Sequence, residues 1–179
     1  MAPSSAGLVA GLSAAALVTI GFLGFHASAN APSGQRARAA AAPQQLPERK
    51  PGSTELPRGS GSGMRVVYDL SDRRIWLVSG ARKVLRTFEV MPSTVHPRVG
   101  SYAVTSRSGQ VTGSDGVAIE HVVRFAHAGD VVVGFSAAVN GSLAQPDRRR
   151  KTGGIRMMRS DGDAMWRFAT IGSKVVVVP

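Results

Sequence analysis

Lys151-Thr152-Gly153-Gly154-Ile155-Arg156 is the stretch on which the reading of this chain turns. Four adjacent cations, Arg148 to Lys151, run into two adjacent glycines, and an apolar residue and a further cation follow. Gly154 has no side chain, so it can supply no attacking atom. The chain of 179 residues contains no cysteine. Thiol acyl transfer, disulfides and thiolate metal sites are therefore excluded.

Outward from the hexapeptide, short β-branched runs recur between turn signals. Val66, Tyr68 and Leu70 alternate with Val67 and Asp69, Ser71-Asp72 is a turn, and Ile75 and Leu77 alternate with Arg74, Trp76 and Val78. A turn around Gly80 leads to a strand from Val84 to Met91, and another strand is expected over Ser101–Arg107. In the strand Val117–Phe125, one face would carry Ala118, Glu120, Val122 and Arg124. The other would carry Val117, Ile119, His121, Val123 and Phe125. Val131–Phe135 and Val175–Val178 are apolar throughout, which predicts central positions in a sheet. One helix is predicted over Ser160–Thr170, with Ser160 as its cap, Asp163 three residues on, and Gly172 as its end. Ala164, Trp166, Phe168 and Ala169 would face inward or lie at the boundary. The pattern predicts a mainly β, sandwich-like fold with one or two short helices.

The hexapeptide resembles the signature of the L,D-transpeptidase (YkuD-like) family, whose pattern is Ser/Thr-His-Gly-Cys-Ile/Val-Arg. Gly153, Ile155 and Arg156 fit it. Lys151 stands at the Ser/Thr position, Thr152 at the His and Gly154 at the Cys. The resemblance extends over residues 64–179: the strand-turn-strand Met64–Val78, the loop carrying Pro92 and Pro97 that closes on Gly100, and the final helix and strand. The family's second His lies 14 to 17 residues before the signature. With 14 residues intervening before Lys151, that position is Ser136. The resemblance thus implies an L,D-transpeptidase-type fold, a peptidoglycan ligand and the loss of every reactive side chain.

Three functions follow as expectations. The first is a catalytically inactive envelope protein that binds or scaffolds peptidoglycan. The second is an active acyltransferase with a non-Cys nucleophile, Ser136 or Thr152, although a hydroxyl needs an adjacent base and His96, His121 and His127 occupy no motif position. The third is a polyanion-binding module. Arg148, Arg149, Arg150, Lys151 and Arg156 are the candidate groove residues. Arg156, which follows the family pattern, either braces the loop or grips a ligand carboxylate. His121 and His127 are six apart, and on a strand that separates them by ~20 Å. No metal and no cofactor are expected. Trp76 and Trp166 each lie in an amphipathic element, which favours packing over sugar stacking.

Net charge is +11, and residues 64–179 carry 17 basic and nine acidic side chains, net +8. That balance favours anionic partners: peptidoglycan or another acidic wall polymer. Nucleic acid is disfavoured because no aromatic residues interleave with the basic run. Residues 1–29 are expected to be a signal peptide or an N-terminal membrane anchor. Their apolar run, 7–29, would be long enough to span a bilayer as a helix, and Ala27-Ser28-Ala29 resembles a cleavage site. Residues 30–63, rich in Pro, Gly, Ser and Ala, are expected to be a disordered linker. Together these segments predict an exported, extracytoplasmic protein.

Overall fold

The structure, a computed structural model, describes residues 53–179. The leader 1–29, its expected membrane contact and most of the expected linker lie outside the described residues. Among the described residues no helix is long and apolar enough to cross a membrane.

Among the described residues, nine strands and one helix follow in chain order: β1 (Arg65–Asp69), β2 (Arg74–Val78), β3 (Val84–Glu89), β4 (Gly100–Ala103), β5 (Ser106–Thr112), β6 (Ala118–Ala128), β7 (Val131–Ala138), β8 (Gly154–Met157), α1 (Arg159–Phe168) and β9 (Lys174–Val178). They form two sheets, ordered β3-β2-β1-β9-β4 and β5-β6-β7-β8. The apolar runs Val131–Phe135 and Val175–Val178 fall in β7 and β9, and each of these strands has a hydrogen-bonded neighbour on both sides. β9 lies parallel to β1, and β8 lies parallel to β7.

The sandwich core follows from period-2 alternation. Val66 and Tyr68 of β1, Ile75 and Leu77 of β2, and Val175 and Val177 of β9 project inward. They meet Val123 and Phe125 of β6, Val133, Phe135 and Ala137 of β7, and Ile155 and Met157 of β8. Tyr68 meets Phe135 edge-on at 6.0 Å, and Phe125 stacks on Phe135 at 4.6 Å. The opposite faces of β1, β2 and β9 form a second apolar cluster, Val67, Trp76, Val78, Val176 and Val178, with Leu56 and Val84 against it.

That second cluster corrects the linker boundary. Residues 53–63 are not a free linker. The Trp76 indole N–H donates to the Thr54 carbonyl at 2.9 Å, and the buried Arg65 guanidinium donates to the Ser60 and Gly63 carbonyls at 2.6 Å each. A Pro/Gly-rich segment with few apolar residues is anchored here by its carbonyls and by Leu56.

Three strand expectations also change. The expected strand Ser101–Arg107 is two strands in different sheets, and the chain crosses between them at Val104 and Thr105. In β6, bulges between Glu120 and Val123 and between Arg124 and Ala126 break the alternation. Val122 and Val123 are both buried as a result, and His121 takes φ +53°. The strand expected to end at Met91 ends at Glu89, and Met91 instead bridges to Arg156.

The helix is not capped by Ser160. Met158, in extended conformation, precedes it without a side-chain cap, and Asp161 in the first turn ion-pairs with Arg86 at 2.6 Å. β8 runs almost directly into α1, so the burial of Met157 sets where the helix starts. Met165 and Ala169 are fully buried, whereas Ala164, Trp166 and Phe168 lie at the boundary.

The Tyr68 hydroxyl is buried, with no hydrogen-bond partner among the described residues. Burial pushes the phenol from 10.0 up to about 12; Arg73 opposes this and Asp69 adds to it. Between pH 10 and 12 the folded chain keeps a proton that the unfolded chain releases. Stability is therefore expected to fall as pH rises through that window, by about 2–3 kcal/mol from this group. Tyr68→Phe should be neutral or stabilising at pH 7 and should flatten that alkaline loss in urea titrations. Equal alkaline slopes for the two proteins would refute the assignment.

Candidate functional site

β7 and β8 build the floor of a cavity of about 550 Å³. Their parallel register places Gly134 beside Gly154 and Ser136 beside Arg156. The two glycines of the hexapeptide have different reasons to be glycine. A Cβ on Gly153 would lie 2.2 Å from the Val132 carbonyl oxygen, inside the backbone of the neighbouring strand. A Cβ on Gly154 would meet one atom within 4 Å, Ser136 Oγ at 3.9 Å. Gly153 is required by close approach of two backbones. Gly154 faces open space in the cavity wall.

Ser136 is 1% exposed, and its hydroxyl has no hydrogen-bond partner among the described residues. A serine nucleophile needs a base within about 3 Å, and among the described residues no imidazole reaches this one. His96 lies in a different cavity, and His127 is an exposed residue of β6. The His121 ring packs beside Trp166 at 5.4 Å, with Nδ1 3.2 Å from Asp163 Oδ1 but not aligned for a hydrogen bond.

Thr152 is buried and tied to the loop after β3. Its hydroxyl bonds to Ser93 Oγ at 2.6 Å, its carbonyl accepts from Ser93 Oγ and from the Val95 N–H, and its own N–H donates to Thr94 Oγ1 at 3.0 Å. The short polar side chains of Ser93 and Thr94 thus stitch the Pro-containing loop to the hexapeptide. Position 152, where the resemblance places an imidazole, holds a hydroxyl already engaged in structure.

Arg156 makes an ion pair with Asp115 across the cavity, Nη2 to Oδ2 at 2.9 Å, with both side chains mostly buried. Its backbone exchanges two hydrogen bonds of 2.8 Å with Met91. Arg156 Nε is buried, with no hydrogen-bond partner among the described residues. Asp115 also accepts from Arg150 through its carbonyl oxygen at 2.8 Å. The turn between β5 and β6 is therefore clamped over the floor from two sides.

The basic run does not act as one cluster. Arg150 and Lys151 line the 550 Å³ cavity, Arg148 lines a second cavity, and Arg149 points outward with its backbone N–H on Asp147. The structure brings together Ser136, Thr152, Gly154, Arg150, Lys151 and Arg156, and separates Arg148 and Arg149 from them. Asp115, Ser93 and Thr94 were not foreseen. Gly113-Ser114-Asp115-Gly116 reads as a turn, but nothing local tells what its carboxylate reaches.

Of the two tryptophans, Trp76 is fully buried, and Trp166 is covered by Arg107, whose guanidinium lies 3.5 Å from the ring centroid. Among the described residues no group of His, Asp and Glu is placed to hold a metal.

No family model and no curated protein matches the sequence. Solved structures do match the fold. An L,D-transpeptidase (Yku) from Stackebrandtia nassauensis superposes with a TM-score of 0.55 at 15% identity, over 71% of this chain and 60% of that one. The L,D-transpeptidase of Xylanimonas cellulosilytica gives 0.52 at 17% identity, over 70% of this chain and 65% of that one. The LD transpeptidase LdtMt1, solved in complex with imipenem, gives 0.50 at 21% identity, over 66% of this chain and 60% of that one. This chain has the L,D-transpeptidase fold, and it spans about 60–65% of the length of these structures.

Proposed function

We propose that this is a non-acylating protein of the bacterial cell envelope, exported by its leader, that uses an L,D-transpeptidase-type cavity to bind peptidoglycan. Gly154 is the observation that carries the reading. It lies on the cavity wall at the position where the family signature has its Cys, with open space in front of it. Removing the attacking atom removes the covalent step itself, whatever the surrounding groove retains. Recognition remains, through a cavity whose floor is held by the Arg156–Asp115 pair and whose rim offers Arg150 and Lys151. The alternative of a serine nucleophile at position 136 has no observation in its favour, since among the described residues that hydroxyl has no hydrogen-bonded base.

Two measurements test this. The intact chain mixed with imipenem and weighed by mass spectrometry is expected to keep its mass. A stoichiometric adduct that disappears in Ser136→Ala would establish the active-enzyme reading instead. The chain is also expected to co-sediment with purified sacculi, and replacing Arg150 and Lys151 by Ala should lower retention several-fold while Arg149→Ala leaves it unchanged. Absence of sedimentation would sink the peptidoglycan assignment. Export is read separately, from a reporter enzyme active only outside the cytoplasm fused after residue 63.

A further inference from the structure

A second cavity, of about 520 Å³, lies beyond Met91 and Pro92, which it shares as a wall with the larger one. Its charged lining is all basic or imidazole: Arg73, His96 and Arg148, with no carboxylate among them. Asp69 and Asp72, in the same turn as Arg73, do not line it. Asp147, next to Arg148, lines the larger cavity and accepts from the Arg149 N–H. No ion pair holds Arg73, His96 or Arg148 among the described residues. The other polar groups of the wall are largely engaged: Ser93 with Thr152, and Thr94 with the Arg150 carbonyl and the Thr152 N–H.

Arg73 adds a second, independent observation. It closes the β1–β2 turn at φ +50°, in the left-handed region where glycine or asparagine is the unstrained choice. Its carbonyl accepts from the Val90 N–H at 2.8 Å, so the backbone is fixed in that conformation. The turn itself would be better served by glycine. A strained backbone carrying a long cation into a cavity without a counter-ion is an outlier that the fold does not require.

We propose that this cavity binds a phosphate group, with Arg73 and Arg148 supplying the charge and His96 a third donor. Three donors on separate segments of chain suit an acceptor with several oxygens in a tetrahedral array. A planar carboxylate, with two oxygens, is met by a single guanidinium. The site stands apart from whatever occupies the larger cavity, although the shared wall places a bound phosphate beside that occupant.

The full chain is titrated at low ionic strength with inorganic phosphate, dimethyl phosphate and acetate, reading the amide resonances of Val95, His96 and Arg148. Saturable shifts with inorganic phosphate are expected, and acetate should bind at least several-fold more weakly. Saturable binding of dimethyl phosphate as well identifies a phosphodiester as the natural ligand group. Its failure alongside phosphate binding identifies a free or terminal phosphate. Arg73→Gly and Arg148→Ala should each weaken phosphate binding about tenfold, and Arg149→Ala should leave it unchanged. Arg73→Gly should at the same time leave the melting temperature unchanged or raise it, because it relieves the turn. Acetate binding as tightly as phosphate, or phosphate binding unaltered in both variants, overturns the proposal. Loss of sacculus binding with phosphate binding intact would reject the peptidoglycan reading and leave this site standing.

Discussion

Gly153→Ala is expected to cost about 3 kcal/mol or more of stability, and Gly154→Ala close to nothing, although the two residues are adjacent in one motif. The added methyl at 153 would lie 2.2 Å from the Val132 carbonyl oxygen and 2.9 Å from its carbonyl carbon. That obstacle is backbone, so no rotamer change can move it. To make room, β8 would have to separate from β7 and give up the bond from the Gly134 N–H to the Gly153 carbonyl, 3.1 Å long. Gly134 is itself confined, since a Cβ there would lie 2.8 Å from the Val123 carbonyl oxygen. The β6-β7-β8 sheet is thus held flush by two glycines that have no room for a methyl. The same methyl at 154 would make one ordinary contact, with Ser136 Oγ. Urea unfolding of both variants checks the contrast. Equal losses at the two positions would mean that position 154 is not on an open wall, and the cavity reading would fall with it.

Trp76→Ala should cost about 3–5 kcal/mol, the usual range for truncating a fully buried aromatic residue. Trp76 is 0% exposed, yet it lies on the outer face of its sheet, not in the sandwich core. The segment 53–63 packs on this face, contributing Leu56 to the apolar cluster and the Thr54 carbonyl to the indole N–H. Truncation would leave a void under that segment, remove its hydrogen bond and expose Val67, Val78 and Val176 beneath it. Phe in place of Trp76 should recover most of the apolar term but not the bond. A loss below about 1 kcal/mol in chemical denaturation would show that Trp76 is not packed in this cluster.

Much of the fold was legible because β-structure writes itself into sequence with period 2. The inward residues Val66, Tyr68, Ile75 and Leu77 were recoverable from alternation alone, and the central places of β7 and β9 from unbroken apolar runs. Sequence spacing alone did not tell that Ser136 would pair with Arg156 across β7 and β8, with its hydroxyl 3.9 Å from where a Cβ on Gly154 would lie. What failed depended on partners far along the chain. Ser160 was a reasonable cap by local chemistry, but β8 enters the helix with Met157 already buried and fixes a different start. The bulges of β6 leave no local sign, because they arise in its pairing with β7. A Pro/Gly-rich segment reads as linker whether or not a sheet offers it a tryptophan N–H.

The sequence by itself determined the chemistry that is absent: no thiol anywhere in these 179 residues, and no side chain at position 154. Composition is a property of the chain before it folds, so no tertiary arrangement can restore a missing sulfur. Only the tertiary structure decided which of the remaining side chains share a space. Four consecutive cations, Arg148 to Lys151, divide among two cavities and solvent, and Asp115, 41 residues from Arg156 in sequence, lies 2.9 Å from it. Long side chains on a loop point where the neighbouring elements leave room, and that is set by packing between distant strands, which the local sequence does not encode.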